Sequence, residues 1–397
     1  MINKKTIFIL NLLLCIGCSS IVKKVIPLSP LPTPTGKYTI GTTQYHWLDD
    51  SRQEWFSKED TTDFRELMVQ IWYPSDQKPT EEPVAYMDFL EQRIPEVAKQ
   101  VGLPKFMITQ ISEISTNSYY DIPISNKEQQ FPVLIFSHGL GGMRVQNTAY
   151  IQELVSHGYI IAAMDHTYDA NITIFPDGRK RLYDSNLPEG LTDSTEAYNI
   201  RYKQLNARTS DVVFVLDELE KLNSDKNHPQ FFNKLKLDNV GIFGHSFGGA
   251  TSISTAYNDP RITACFTLDA WFEIIPHHIL NSGLKTPFFH LGQERWKKPL
   301  NYKNRDNLIK NSSGPNWVST FLGSKHFDYI DLPLFTNYTK RFKLTGEIDP
   351  IAFYKTLNEL HLTFFNFYIK KIDTFLPKSI DEKISFLTIE NSNNTTE

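Results

Sequence analysis

The amino-acid sequence predicts an α/β fold with a mostly parallel central sheet and helices on both faces. Short apolar runs, such as 132–137 and 262–268, alternate along the chain with longer segments of helical periodicity, such as 196–222. Uninterrupted apolar runs are typical of strands buried on both faces, and their alternation with helices is typical of a parallel sheet. With 397 residues, of which 40% are hydrophobic, the chain is long enough to bury one large core.

The predicted elements follow one another along most of the chain, after one or two N-terminal strands. The strands are 68–73, 132–137, 159–164, 239–243, 262–268, 286–291 and 316–322. The helices are 145–156, 196–222, 247–257, 303–310 and 350–371. In the last helix, apolar residues from Phe353 to Phe367 recur at helical spacing, which indicates a face packed in the core.

One stretch indicates chemistry: Gly244-His245-Ser246-Phe247-Gly248-Gly249 follows the apolar run 240–243 and precedes small residues that suit a helix. A serine at the apex of a sharp strand-to-helix turn needs flanking glycines, because no Cβ fits there, and its Oγ is exposed above the sheet edge. We therefore predict that Ser246 is a nucleophile for acyl transfer. The competing interpretation is a glycine-rich turn that contains a serine by chance.

A serine nucleophile needs an imidazole to accept its proton and a carboxylate to orient that imidazole. In this strand-turn-helix setting the acid and then the histidine follow the serine along the chain. Asp269 comes directly after the apolar strand 262–268, so it is expected at the same sheet edge as Ser246, and we assign it as the acid. Asp328 and Asp331 are weaker candidates, because they follow the candidate histidine in sequence.

The predicted base is His326, which follows the strand-like run 317–322 and a glycine-containing turn. A histidine in such a loop is expected to lie over the sheet edge. His290 is the rival, but it falls within a predicted strand, which is more typical of a buried core histidine. His277 and His278 are predicted at the surface or in loops.

An oxyanion hole needs two backbone N–H groups, one from the residue after the nucleophile and one from a loop after an earlier strand. Phe247 is the first predicted donor. The loop Ser137-His138-Gly139-Leu140-Gly141-Gly142 is similar to the H-G-G-G loop of esterases, and Leu140 is the second predicted donor. We expect His138 to brace this loop. Arg144 is either a partner for an acyl or phosphate group or a solvated residue at a helix start.

Taken together, these motifs resemble the plasma-type (isoform II) platelet-activating-factor acetylhydrolases, serine lipases of the α/β-hydrolase fold. The matching segments are 136–141, 244–251, 268–271, 323–326 and 343–349. The resemblance implies Ser246 as nucleophile, Asp269 as acid, His326 as base, and Leu140 and Phe247 as oxyanion donors. It also implies metal-independent release of short or oxidised acyl chains from the sn-2 position of phospholipids.

Two other classes of function stay open at this point. One is a general carboxylesterase, lipase or polyester hydrolase; the other is an inactive hydrolase fold that binds ligands in the cell envelope. An inactive fold usually lacks a triad member, and here all three are present. No motif indicates a cofactor or a metal site. The net charge of −4 gives no basic field for nucleic acid, and we expect a monomer.

The N-terminus has the pattern of an export signal. The apolar run 7–16 follows two lysines and is too short to span a bilayer, but it has the length of a secretory h-region. Gly17-Cys18 is similar to the cleavage and lipidation site of bacterial lipoproteins. We therefore predict a signal peptide over 1–17, lipid anchoring at Cys18 in the bacterial cell envelope (the outer membrane if Gram-negative), and a flexible proline-rich tether over 18–33.

The remaining chain is predicted to form a single catalytic domain over 34–390, followed by a disordered polar tail over 391–397. Cys265 falls in an apolar strand, which indicates a small core residue rather than a nucleophile. Pro176-Asp177-Gly178 lies between two strand-like runs and predicts a hairpin over the site.

Two apolar clusters are candidates for a surface that faces lipid. The first is Phe106-Met107-Ile108 with Leu103 and Ile111, within the long segment between the strands near 74 and 132. The second contains Leu332, Leu334 and Phe335. Helical spacing cannot distinguish inward from outward faces, so an ordinary core role for both clusters stays open.

Overall fold

The computed structural model describes residues 27–57, 60–102, 104–187, 195–294, 296, 298–372 and 384–391. The strands are β1 (Thr39–Gln53), β2 (Phe64–Ser75), β3 (Ser118–Tyr120), β4 (Phe131–Ser137), β5 (Ile160–Asp165), β6 (Ile172–Ile174), β7 (Lys180–Leu182), β8 (Leu235–His245), β9 (Ile262–Leu268), β10 (Phe288–Gln293), β11 (Asn316–Phe321) and β12 (Leu387–Asn391). The helices are α1 (Leu90–Val101), α2 (Lys105–Ile108), α3 (Thr148–Ser156), α4 (Thr195–Ser224), α5 (Phe247–Asn258), α6 (His277–Ser282), α7 (Pro299–Asn311), α8 (Leu332–Phe335), α9 (Tyr338–Arg341) and α10 (Pro350–Phe365).

Ten of these strands form one sheet in the order β12-β11-β10-β9-β8-β4-β5-β2-β1-β3. Strands β11, β10, β9, β8, β4 and β5 are mutually parallel, whereas β2 and β12 pair antiparallel at the two sides of this block. Parallel neighbours need crossover connections, which the intervening helices provide. The predicted fold class, a mostly parallel sheet in an α/β arrangement, is confirmed.

Each face of the sheet is covered by its own hydrophobic core. Along β4, Leu134 and Phe136 belong to one core, and Val133 and Ile135 belong to the other, because successive side chains of a strand point to opposite faces. Helices α3 and α10 pack on the first face, and α4, α5 and α7 pack on the second. Burial on both faces explains why these strands are uninterrupted apolar runs in the sequence.

The predicted strands and helices all occur, with shifted ends. The predicted last helix, 350–371, is α10 followed by a π-helical turn over Asn366–Lys370. The predicted hairpin around Pro176-Asp177-Gly178 is formed by β6 and β7, which pair antiparallel. Cys265 is fully buried in β9, as predicted, and burial raises the pKa of its thiol.

The prediction of a flexible tether is wrong for residues 27–33. Leu31 is buried in the core beneath α3 and α10, and Leu28 packs against the same core. The backbone N–H of Ser29 also donates a hydrogen bond to Phe335 O at 2.7 Å. Proline content suggested an extended linker, but burial of a leucine side chain contributes about 2 kcal/mol and fastens the segment to the domain. Residues 1–26, and with them the predicted signal peptide and Cys18, lie outside the described residues.

The prediction of a tail that begins at residue 391 is also wrong at its first residue. Asn391 is the last residue of β12 and pairs with Trp317 of β11. Leu387 and Ile389 alternate on this strand and are buried, which is the period-two pattern of a strand with one face on the core. Residues 392–397 lie outside the described residues.

Candidate active site

Ser246 lies at the turn between β8 and α5, with backbone angles of φ 58° and ψ −117°. This region of backbone space is strained for a residue with a side chain. A Cβ on Gly244 would overlap Gly248 O, and a Cβ on Gly248 would overlap Ser137 O, so both positions require glycine. The predicted sharp turn with serine at its apex is therefore present.

The parallel strands bring the predicted residues to one edge of the sheet. Ser246 follows β8, Asp269 follows the neighbouring β9, and His326 comes shortly after β11. The Ser246 backbone N–H donates to Leu268 O at 2.9 Å, and the Trp271 N–H donates to Ser246 O at 3.0 Å. These bonds fix the serine turn against the segment that carries Asp269.

Asp269 and His326 form a hydrogen-bonded pair, with Nδ1 of His326 2.6 Å from Oδ2 of Asp269. The buried carboxylate also accepts from the Gln293 side chain at 2.7 Å and from the Trp296 indole N–H at 2.7 Å. Burial alone would raise the pKa of Asp269, but the hydrogen bond and charge of His326, with these further donors, lower it below its usual value. An ionised carboxylate therefore orients the imidazole.

His245 supports the other side of His326. The two rings lie 4.5 Å apart between centroids, and Nε2 of His245 is 3.0 Å from His326 O. Burial and the neighbouring His326 lower the pKa of His245 to about 3. His245 is therefore neutral, and its Nε2–H donates to the His326 carbonyl, which holds the backbone of the loop in place.

The glycine loop after β4 lies directly against the serine turn. A Cβ on Gly139 would be 3.1 Å from Nδ1 of His245 and 3.4 Å from the Cβ of Ser246, so the backbone of the loop packs closely on the serine turn. Gly141 N–H donates to Asp169 O at 2.8 Å. The backbone N–H groups of Leu140 and Phe247 donate to no other group in the described part of the chain. Both predicted oxyanion donors are thus free to bind a ligand oxygen.

Comparison with known proteins decides the family. The model of the family described as "Platelet-activating factor acetylhydrolase, isoform II" matches residues 26–381. The chain belongs to this family.

Curated relatives and solved structures agree with this membership. The platelet-activating factor acetylhydrolase of Gallus gallus is 28% identical over 59% of this chain and 61% of its own length. That of Bos taurus is 26% identical over 85% of this chain and 76% of its own length. The match thus spans about three fifths of the first relative. A ferulic acid esterase from Streptomyces cinnamoneus superposes with a TM-score of 0.72 at 24% identity, over 91% of this chain and 99% of that one, and this likeness confirms the α/β-hydrolase fold.

In this member of the acetylhydrolase family, Arg208 of α4 also contacts the site, although no motif in the sequence indicates it. Its guanidinium donates to the His138 carbonyl and, at 3.2 Å, to Ser137 Oγ, and it lies 4.7 Å from the centroid of the Phe247 ring. Arg208 is fully buried and contacts both the glycine loop that carries Leu140 and the ring of Phe247. His138 braces the same loop, as predicted: its Nδ1 is 2.6 Å from Gly139 O, and its Nε2 accepts from His166 N–H.

We expect Arg208→Gln to lower kcat on a soluble ester by about 100-fold with little change in KM, because a small displacement of either donor removes transition-state stabilisation. Arg208→Lys is expected to restore little of this activity, since an ammonium cannot contact both oxygens and lie flat on the Phe247 ring. Kinetics and thermal unfolding of the purified variants check this. A variant that loses melting temperature but keeps the wild-type kcat contradicts a positioning role for Arg208.

A second Ser-His-Asp arrangement lies beneath the first. Ser137 Oγ is 2.9 Å from His166 Nε2, and His166 Nδ1 is 2.8 Å from Asp211 Oδ2. Asp211 also accepts two hydrogen bonds from Arg65. Ser137, His166 and Asp211 are all fully buried, and burial holds the pKa of His166 well below its usual value. No substrate reaches this group, so it fixes the glycine loop to α4.

The alternative acids, Asp328 and Asp331, accept hydrogen bonds from groups outside the candidate triad. Asp328 accepts from the backbone N–H groups of Lys325 and Gly346, each at 2.7 Å, and so shapes the loop that carries His326. Asp331 is buried and accepts hydrogen bonds from the backbone N–H of Ala149 and from the hydroxyl of Tyr86. Both carboxyls are structural.

The alternative histidines are likewise placed away from the serine turn. His290 is buried in β10, with Nδ1 2.9 Å from Thr267 Oγ1, and burial with the charge of Arg305 lowers its pKa to about 3. His277 and His278 begin α6 and are exposed, as predicted. No group of three or more His, Cys, Asp or Glu side chains among the described residues is arranged to hold a metal ion.

Both expectations for Arg144 are wrong. The side chain is fully buried and pairs with Asp165 and Asp88, and α3 begins only at Thr148. Two carboxylates neutralise the guanidinium, so it is neither a solvated helix-start residue nor available to a substrate.

The predicted lipid-facing clusters are only partly exposed. Phe106 is 42% exposed, but Ile108 is buried, and the placement of Leu103 and of the Met107 side chain is not described. In the second cluster Leu334 and Phe335 are buried in the first core, because α8 packs inward, so that cluster is not a lipid-facing surface.

Proposed function

We propose that this chain is a serine ester hydrolase that works through an acyl-enzyme, with Ser246 as nucleophile, His326 as base and Asp269 as the acid that orients it. The observation that carries the proposal is the 2.6 Å hydrogen bond from His326 to a buried, ionised Asp269, at the sheet edge that also carries a serine held at φ 58°. A serine on a strained strand-to-helix turn and an imidazole oriented by a carboxylate are the groups that acyl transfer requires.

The reaction follows from these positions. Asp269 fixes the tautomer in which His326 Nδ1 carries hydrogen, so Nε2 accepts the Ser246 proton as Oγ attacks the ester carbonyl. The carbonyl oxygen gains negative charge and accepts from the N–H groups of Leu140 and Phe247. His326 then gives its proton to the departing alcohol oxygen, and a water molecule activated by the same imidazole hydrolyses the acyl-enzyme.

The proposed substrates are phospholipids with a short or oxidised acyl chain at the sn-2 position. Support comes from membership of the family and from the curated relatives, which are named as platelet-activating factor acetylhydrolases. An inactive binding protein is disfavoured because every group of the reaction is present in the described residues.

We expect hydrolysis of p-nitrophenyl esters to fall as the acyl chain lengthens from two to twelve carbons, and sn-2-acetyl phospholipids to be cleaved faster than sn-2-oleoyl phospholipids. Initial rates at substrate concentrations below aggregation measure this. Equal rates on long and short chains would instead favour a general lipase, and a lack of any hydrolysis would contradict the enzyme assignment.

We also propose that the protein is an exported lipoprotein of the bacterial cell envelope, anchored at Cys18. The supporting observation is the h-region followed by Gly17-Cys18. No helix in the described part of the chain is long and apolar enough to cross a bilayer.

For the anchor we expect that Cys18→Ser releases the protein from the membrane fraction or leaves an uncleaved precursor, because acyl chains on one cysteine provide the membrane affinity. Fractionation of expressing cells with immunoblotting measures this. Cys265→Ser is the matched control and is expected to leave the membrane fraction unchanged. A processed Cys18→Ser protein that stays in the membrane contradicts lipidation.

A further inference from the structure

The carboxylate of Asp269 is held by more groups than His326 alone. Its Oδ1 accepts from the Trp296 indole N–H at 2.7 Å and from the Gln293 backbone N–H at 3.2 Å. Its Oδ2 accepts from the Gln293 side chain at 2.7 Å and lies 2.6 Å from His326 Nδ1. Rotation of the carboxylate, which would exchange the two oxygens, would break the hydrogen bond from the indole.

Trp296 contacts the base as well as the acid. Its ring packs edge-on against the His326 imidazole, with ring centroids 5.1 Å apart and an interplanar angle of 79°. The Trp296 side chain is half-buried, so it covers part of the Asp269–His326 pair from solvent. An indole has an N–H donor and no acceptor, so it stabilises the ionised form of Asp269 and takes no hydrogen bond from the imidazole.

Two further hydrogen bonds fix the chain around Trp296. Its backbone N–H donates to the hydroxyl of Tyr302 in α7. The carboxylate of Glu294 accepts from the Gly323 N–H at 2.8 Å, in the turn before His326. The chain just after β10 is thus bonded to the acid, to the turn that leads to the base, and to a neighbouring helix.

The other ionisable groups near the pair are neutral or bonded elsewhere. His245 from β8 and His290 from β10 are neutral, because burial lowers the pKa of each to about 3. Burial holds the pKa of Tyr329 well above its usual range, so its hydroxyl is neutral as well. The charged side chains on the flanking segments each bond to backbone groups: Asp328, Lys325 and Glu294.

We propose that Trp296 is a positioning residue of the triad, whose indole N–H holds the Asp269 carboxylate toward His326 and weakens its attraction for an imidazolium. A donor on a carboxylate spreads the negative charge, so less of that charge acts on the neighbouring ring. Without the indole N–H, the carboxylate would retain a proton on the imidazole more strongly, and the base would be lost at a higher pH. The inference rests on the proposed function, in which His326 is the base.

Trp296→Phe tests this role, because it removes the N–H and keeps an apolar ring beside His326. On p-nitrophenyl acetate we expect a kcat about 10-fold below wild type with an unchanged KM. The acid limb of the pH–rate profile, where the base becomes protonated, is expected to move up by about 0.5 pH unit. Trp47→Phe is the matched control: Trp47 is also half-buried but stacks on Tyr45 in β1, and this variant is expected to keep the wild-type values.

Two further measurements show whether Trp296 acts through the carboxylate. In an Asp269→Asn background, Trp296→Phe is expected to lower kcat no further and to leave the acid limb in place, because the charge on which the indole acts is gone. The downfield proton resonance of the His326–Asp269 hydrogen bond needs no turnover. We expect it to move further downfield in Trp296→Phe and to stay in place in Trp47→Phe.

The outcomes separate this inference from the proposed function. If the wild type hydrolyses no ester, the proposed function fails, and the resonance alone decides the positioning role. A Trp296→Phe protein with the wild-type kcat, acid limb and resonance overturns the role. A raised KM with the wild-type kcat also overturns it, since the indole would then contact the substrate. An equal loss of kcat from Trp296→Phe in the Asp269→Asn background overturns it too, because the indole would act independently of the carboxylate.

Discussion

Ser246→Ala is expected to lower kcat on p-nitrophenyl acetate by at least about 10³-fold, with the fold and melting temperature retained. The expected loss is large because the members of a triad act as a unit, and the oxyanion donors alone leave only weak residual activity. Alanine keeps the Cβ at the strained position 246, so the substitution removes one oxygen and little else. Steady-state kinetics and circular dichroism of the purified variant measure the two effects.

Ser137→Ala is the matched control, because Ser137 also lies 2.9 Å from a histidine in a Ser-His-Asp arrangement but is fully buried. We expect this variant to retain activity within about tenfold of wild type, because it loses only the contacts of the Ser137 hydroxyl with His166 and Arg208. A fluorophosphonate probe is expected to label Ser246. The assigned mechanism is contradicted if mass mapping finds the label on Ser137, or if the Ser246→Ala protein is active.

His326→Ala is expected to match Ser246→Ala within about tenfold, because the imidazole is the base of the proposed triad and the members of a triad act as a unit. The kcat of Asp269→Asn is expected to lie between those of wild type and Ser246→Ala. Without the carboxylate the catalytic tautomer of His326 is no longer fixed, but the oxyanion donors remain. His290→Gln is the control: its ring is buried against Thr267, so we expect near wild-type kcat if the protein folds. Rates on p-nitrophenyl acetate compare the three proteins. A larger loss in His290→Gln than in His326→Ala contradicts the loop assignment.

The sequence was sufficient to predict that Asp269 pairs with His326 at the sheet edge that carries Ser246, because each of these signals is local. Ser246 and Asp269 directly follow apolar strands, and parallel strands end at one edge, so their proximity follows from the fold class alone. His326 required one more step, the choice of a loop histidine over the strand histidine His290. The structure brings His326 to Asp269 and leaves His290 in the core.

The supporting residues could not be predicted, because their roles depend on contacts far apart in sequence. Arg208 belongs to an ordinary helix in the sequence and reaches the glycine loop 70 residues away. No pattern in the sequence indicates that the Trp296 indole donates a hydrogen bond to Asp269. Gln293 was accessible to reasoning, since it ends the strand next to the one that precedes Asp269. The tether was mispredicted because the prolines indicated an extended linker, whereas Leu31 is buried in the core and Leu28 packs against it.

If the protein is anchored at Cys18 as proposed, the attachment of residues 27–33 to the domain limits the distance between the domain and the bilayer. With acyl chains at Cys18, only eight residues lie between the anchor and Pro27, and the nine Cα–Cα steps from Cys18 to Pro27 span about 30 Å when fully extended. The catalytic domain would then be held close to one leaflet of the bilayer. It would meet lipids of that leaflet by lateral diffusion in two dimensions, with no need to dissociate between turnovers, and esters in distant vesicles would be out of its reach.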